Sequence, residues 1–153
     1  MPQHFSTRNV VAIQKEIQAV LGAGLAYISF NVTSNVPASF VTAEGYELLK
    51  PIPYRYQITD CKILTLGGNA AGGNLIITSA NPNPYTIVTF LPAGLLQNSL
   101  LRVGAPNALV TSSLYSTSYE NTSVKVASSG GAITGASSFI VSLDFSVFKI
   151  SYY

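Results

Sequence analysis

The sequence predicts an all-β protein, a jelly-roll-like β-sandwich of eight or nine strands with one short N-terminal helix. Three observations carry this. From residue 24 onward, apolar residues recur at alternate positions in short runs, the period of strands with one buried face. Turn formers separate the runs, as in "GGNAAGG" (residues 67–73) and "NPNP" (residues 81–84). Before residue 24 the period lengthens to that of a helix.

The helix comes first. A polar arm, residues 1–6, holds the single histidine, His4. Val10, Ile13, Ile17 and Val20 then follow at spacings of three, four and three, an a/d seam over two heptads. Ser6, Thr7 or Asn9 can cap its start, and Gly22 and Gly24 stop it. The arm and helix make one unit, residues 1–23, and the sandwich the other, residues 24–153. The seam is wholly β-branched, and Ile at both a and d of parallel coiled coils favours trimers or larger assemblies. Two heptads are too short to stand alone. The four seam residues are therefore the candidate interface, with an amphipathic helix lying on its own domain as the equal alternative.

In the next run, "LAYISFNV" (residues 25–32), Ile28, Phe30 and Val32 share one face. Pro51 and Pro53 punctuate the stretch after Gly45, so a strand is expected to begin near Tyr54, with Tyr54, Tyr56 and Ile58 on one face. The Gly-rich turn at 67–73 leads into "NLIITSA" (residues 74–80). Tyr85–Phe90 reads as a short strand, followed by an irregular or briefly helical connection. "LLRV", "NALVTSSLY" and "TSVKVAS" are three more strands. The last runs from Ser137 onward, with a change of apolar phase that predicts a β-bulge near Ser146–Phe148. Between these strands, "SSGGAITGAS" (residues 128–137) reads as a hairpin loop of small residues.

Composition limits the function. Charged residues make up only 9% of the chain, and the net charge is +2, against roughly 25% charged residues in an ordinary globular protein. Ser, Thr, Asn, Gln and nine Tyr must cover the surface instead, and such surfaces pack against other protein with little desolvation cost. The basic residues are scattered, which excludes the clustered footprint of a nucleic-acid binder. One cysteine, Cys61, offers no intrachain disulfide and points to folding in a reducing cytoplasm. "VVAIQKEIQAVL" is too polar for a secretory leader, and no apolar run has the length of a membrane span.

The search for chemistry finds little. A Ser–His–acid system needs a histidine on a rigid element, and His4 lies in the arm. The carboxylates Glu16, Glu44, Glu47, Asp60, Glu120 and Asp144 show no spacing that pairs them. One His and one Cys are too few for a zinc site, no oxygen-rich calcium run occurs, and "GGNAAGGN" lacks the Lys and Ser/Thr of a phosphate loop. No enzyme, no cofactor and no metal are expected. Tyr rings suit interfaces or sugar stacking.

The chain does resemble one kind of protein. "ITDCKI" before a Gly-rich turn, the "LIITSA" strand, and "TSVKVASSGGAITGASSFIVSLDF" are similar to tailed-bacteriophage capsid decoration (cement) and head-fibre proteins with a jelly-roll or β-sandwich domain. The resemblance spans roughly residues 54–145 and does not include the helix. It implies a homotrimeric structural protein of the virion, made in the host cytoplasm. On the capsid surface it binds the major capsid protein around local three-fold positions and clamps neighbouring capsomers. Nucleic acid and membrane are not implied partners. The alternative is a fibre or receptor-binding module of the virion, with carbohydrate among its conceivable ligands.

Overall fold

The computed structural model describes residues 27–80, 84–110 and 122–148. The expected N-terminal helix, with the boundary at residue 23, lies outside them. Nine strands are described: β1 (Tyr27–Pro37), β2 (Tyr46–Ile52), β3 (Arg55–Leu66), β4 (Ala71–Ala80), β5 (Pro84–Phe90), β6 (Leu100–Arg102), β7 (Ala108–Val110), β8 (Thr122–Thr134) and β9 (Ser138–Phe148). Single 3₁₀ turns occur at Ala38–Phe40 and Pro92–Gly94.

The strands form two antiparallel sheets, β1-β9-β3-β6 and β2-β8-β4-β5-β7. The pairing is nested. β4 pairs with β5, β3 with β6, β2 with β8 and β1 with β9, as if a long ribbon had been doubled back on itself at the β4–β5 connection. Two further pairings, β9 with β3 and β8 with β4, roll that ribbon into a sandwich. This is jelly-roll topology, and β7 is an addition on the free side of β5.

Between the sheets lies one core. Val32, Tyr56, Ile63, Phe139, Val141, Leu143 and Phe145 enter it from the first sheet, and Leu49, Ile52, Leu75, Ile77, Phe90, Val124 and Val126 from the second. Phe145 stacks on Phe30 at 5.0 Å and meets the Tyr56 ring edge-on at 5.4 Å. The Tyr56 hydroxyl crosses the sandwich to donate a 3.0 Å hydrogen bond to the Thr122 carbonyl of β8. One polar tip thus joins the sheets at a fully buried position.

Three details depart from the sequence expectation. First, β2 is a strand even though Pro51 lies within it. It is an edge strand with two register shifts against β8, and Pro51 is exposed. A residue without an N–H costs nothing on such an edge. Second, the register of β9 against β1 is unbroken through Phe148, so the expected bulge near Ser146–Phe148 is absent. The bulge is on β3 instead, where Thr59 is the extra residue between Ile58 and Asp60. It moves the buried phase from Tyr56 and Ile58 to Cys61, Ile63 and Thr65.

Third, the Ser/Gly/Ala segment is mostly strand. β8 continues to Thr134, and only Gly135–Ser137 make the turn into β9. Ser129 pairs with Asn74 and Ile133 with Gly72, so Gly130, Gly131 and Ala132 bulge opposite Gly73. Gly130 and Gly131 have φ of 74° and 126°, the left-handed side that glycine adopts freely. A Cβ on Gly73 would lie 2.1 Å from the Gly131 carbonyl oxygen. Past the bulge, Ile133 turns back into the core.

The hydroxyls of Ser34, Thr65 and Ser79 are buried with no hydrogen-bond partner among the described residues. A buried unpaired hydroxyl costs about 1–3 kcal/mol. Thr65→Val and Ser79→Ala are therefore expected to raise stability, each by about 0.5–1.5 kcal/mol, read as a higher urea midpoint. A lower midpoint for both would mean that these hydroxyls are paired in solution.

Candidate assembly surface

Among the described carboxylates, Asp60, Asp144 and Glu47 are each engaged separately, and Glu16 and Glu120 lie outside the described residues. Asp60 and Asp144 stand opposite one another on β3 and β9. Asp60 is gripped by the Arg102 fork, Nη2 to Oδ2 at 2.8 Å and Nε to Oδ1 at 3.2 Å. Asp144 Oδ1 accepts a 2.7 Å hydrogen bond from the Asn31 amide, which also donates to Ser142 Oγ at 2.9 Å. Glu47 pairs with Lys50 at 3.2 Å, and Glu44 is exposed in the loop before β2. These contacts decorate the outer faces of a sandwich, and among the described residues they leave no carboxylate aimed across a cleft at another. Among the described residues, no group of three or more His, Cys, Asp or Glu is placed to hold a metal ion.

Cys61 is fully buried between the sheets. Burial pushes its thiol well above the ordinary range, and the Asp60 and Asp144 carboxylates push it further the same way. A nucleophile needs the opposite, a stabilised thiolate. The shift also sets a pH dependence. The unfolded thiol ionises near about 8.5, whereas the folded one keeps its proton. Stability from this residue is therefore intact below that pH and falls above it, by about 1.4 kcal/mol per pH unit. Urea titrations at rising alkaline pH should show this loss in the wild type and a shallower one in Cys61→Ala. Equal slopes would mean that the thiol ionises in the folded protein.

The four tyrosines whose side chains are described all pack against neighbours. Tyr56 is buried, Tyr54 and Tyr85 pack against the core, and Tyr46 stacks on Phe40 at 5.9 Å. Burial raises the Tyr46 hydroxyl above its usual range. A concavity of about 400 Å³ lies on the outer face of the second sheet. Ile76 and Ala127 lie in its lining with Lys125, Thr78 and Thr86, and Glu44 joins them from the loop before β2. That loop is pinned to β8 by the hydrogen bond from Ser128 N to Thr42 O, 2.9 Å. It covers Ala127, which is 4% exposed although it lies outside the core cluster.

What remains is exposed apolar surface. Leu96 and Leu100, on and before β6, and Leu109 and Val110, on β7, are 41–57% exposed, and Phe40 is 42% exposed. β6 and β7 are the outer strands on one side of the sandwich, and β1 and β2 on the other. β6 and β7 have three residues each, a length that blunts an edge, whereas β1 runs for eleven. Val10, Ile13, Ile17 and Val20, the interface residues expected from sequence, lie outside the described residues, as does His4. Among the described residues, no helix is long and apolar enough to cross a membrane.

No protein-family model matches the chain, and no curated protein matches it. Its fold is similar to that of a solved chain from the capsid of Ralstonia phage GP4. The two share 14% identity at a TM-score of 0.55, over 83% of this chain and 88% of that one.

Proposed function

We propose that this is a structural protein of a bacteriophage virion, a decoration or cement protein that binds between capsomers and stabilises the head. The observation that carries the reading is the fold likeness to a phage capsid chain, which extends over most of both lengths. The side chains agree with it. Asp60, Asp144 and Glu47 are tied to neighbours and the thiol is buried, while large apolar residues stand exposed along one side. The major capsid protein is the partner, and the site of action is the capsid surface after synthesis in the host cytoplasm. Quantifying the chain in purified particles tests this. Hundreds of copies on the head are expected, and a few copies at the tail would overturn it.

The same reading includes a homotrimer, with residues 1–23 as an N-terminal arm and amphipathic helix and residues 24–153 as the sandwich domain. Light scattering of the free protein should return the mass of three chains. Ile13→Asp/Ile17→Asp should abolish that trimer, because a carboxylate in an apolar seam costs several kcal/mol. A folded wild-type monomer at tens of micromolar would remove the trimer from the proposal. The second reading, a fibre or receptor-binding module, draws on the polar concavity beside Glu44 and Lys125. Low copy number together with binding to a host surface glycan would favour it.

A further inference from the structure

We propose that the neutral end of the sandwich is the face that docks on the capsid shell, an inference that rests on the virion role just stated. That end is made by Pro37–Val41, the β3–β4 turn (Leu66–Ala71), Leu91–Ser99 and the β8–β9 turn (Ala132–Ser138). None of these stretches contains a charged residue. Antiparallel pairing brings together stretches of three charge-free runs of sequence, 17–43, 63–101 and 126–143. Lys62 sits four residues below the rim at Leu66, about 13 Å by strand rise. Arg102 is level with it and is neutralised by Asp60. The strand ends that lead to residues 1–26, 81–83 and 149–153 are at the opposite end, whereas residues 111–121 leave β7 partway along, at Val110 opposite Val88, and rejoin at Thr122 at the opposite end.

The neutral end is also preorganised. Ala38 N donates to Ser137 O at 2.9 Å, Ser137 N to Leu66 O at 2.9 Å and Ala70 N to Leu95 O at 2.9 Å. Gln97 N donates to Asn69 Oδ1 at 2.8 Å, and Asn98 N to Thr65 O at 2.7 Å. Four loops are thereby tied into one surface, which needs little ordering when it docks. Interface centres are depleted of charge because a charge there must lose its water. Phe40 and Leu96 stand exposed on this end among Gly, Ala, Ser, Thr and Asn. That mixture is too polar for a permanent contact between two copies, whose interfaces resemble a halved core. On the proposed virion role the occupant is the assembled protein shell, met at a surface of correspondingly low charge.

The test uses phage heads prepared without this chain and sedimentation of added protein with them. Ser39 and Ala93 are exposed on two of the four loops, and Ser29 is exposed near the opposite end. Ser39→Lys/Ala93→Lys should weaken head binding by about tenfold or more, with an unchanged melting temperature, and Ser29→Lys should leave it unchanged. Leu96→Lys, on a different stretch of the same loop region, gives an independent variant with the same expectation. Wild-type affinity should change less than about threefold between roughly 50 and 500 mM salt, since no docking charges are there to be screened. Full binding by the folded lysine variants, or a steep salt dependence, would overturn the inference while leaving the virion role standing. Self-association of the wild type that the lysine variants abolish would make a second copy the occupant and equally overturn it. Wild-type protein that binds no heads would instead remove the virion role and this inference together.

Discussion

Phe145→Ala is expected to remove about 3–5 kcal/mol of folding stability, a large share of the roughly 5–15 kcal/mol of an ordinary domain. Phe145 is fully buried on β9, the strand that lies between β1 and β3. Its ring is packed between Phe30 of β1 and Tyr56 of β3. Removing it opens a cavity that close-packed neighbours refill only in part. It also frees the ring whose hydroxyl ties β3 to β8. Urea denaturation of the variant should show the loss directly, and Val110→Ala at an exposed edge should stay within about 0.5 kcal/mol. A Phe145→Ala loss below about 1 kcal/mol would mean that the core at β9 is loosely packed.

Gly68→Ala is expected to cost about 2–5 kcal/mol, and Gly130→Ala only about 1 kcal/mol. Both glycines have positive φ, 137° and 74°, so each alanine incurs strain of about 1–2 kcal/mol. Their surroundings differ. A Cβ on Gly68 would sit 2.1 Å from the Gly135 carbonyl oxygen, whereas one on Gly130 meets nothing within 4 Å. At Gly68 the obstruction is backbone, held in place by the Ser137–Leu66 hydrogen bond, and overpacking adds about 1–3 kcal/mol. Comparing the two melting temperatures separates strain from collision. Equal losses would mean that the two turns can part without cost.

Alternation made most of the sandwich legible. Ile28, Phe30 and Val32 at the front, and Phe139 to Val147 at the back, read directly as strands because one face of each meets the core. β2 was hidden because Pro51 argues against a strand, and only three-dimensional placement reveals an edge where its missing N–H is harmless. The bulge was readable in principle. Apolar residues switch from even positions, Tyr56 and Ile58, to odd ones, Cys61 and Ile63, around Thr59. The phase change near Phe148 drew attention to the wrong strand. The extension of β8 through its glycines was not readable, since the same residues serve a loop or a bulge until Gly73 is known to lie opposite. The gaps between charges were visible in the sequence. That three of them meet at one end depends on the strand order, which no local pattern specifies.

The nested pairing has a consequence for how the protein is made. β9 is the central element joining β1 to β3, and its β1 partners lie more than a hundred residues earlier along the chain, from Pro37 opposite Ser138 to Tyr27 opposite Phe148. While a ribosome is still holding residues 138–148, β1 has no described neighbour in its sheet, and β3 has only the three residues of β6. The first-made strand must wait for the last. Half of the sandwich therefore closes only after the final strand emerges, and folding dominated by such distant partners is slow. When many copies are synthesised at once, that waiting period is when half-built sheets with open edges are most exposed to one another.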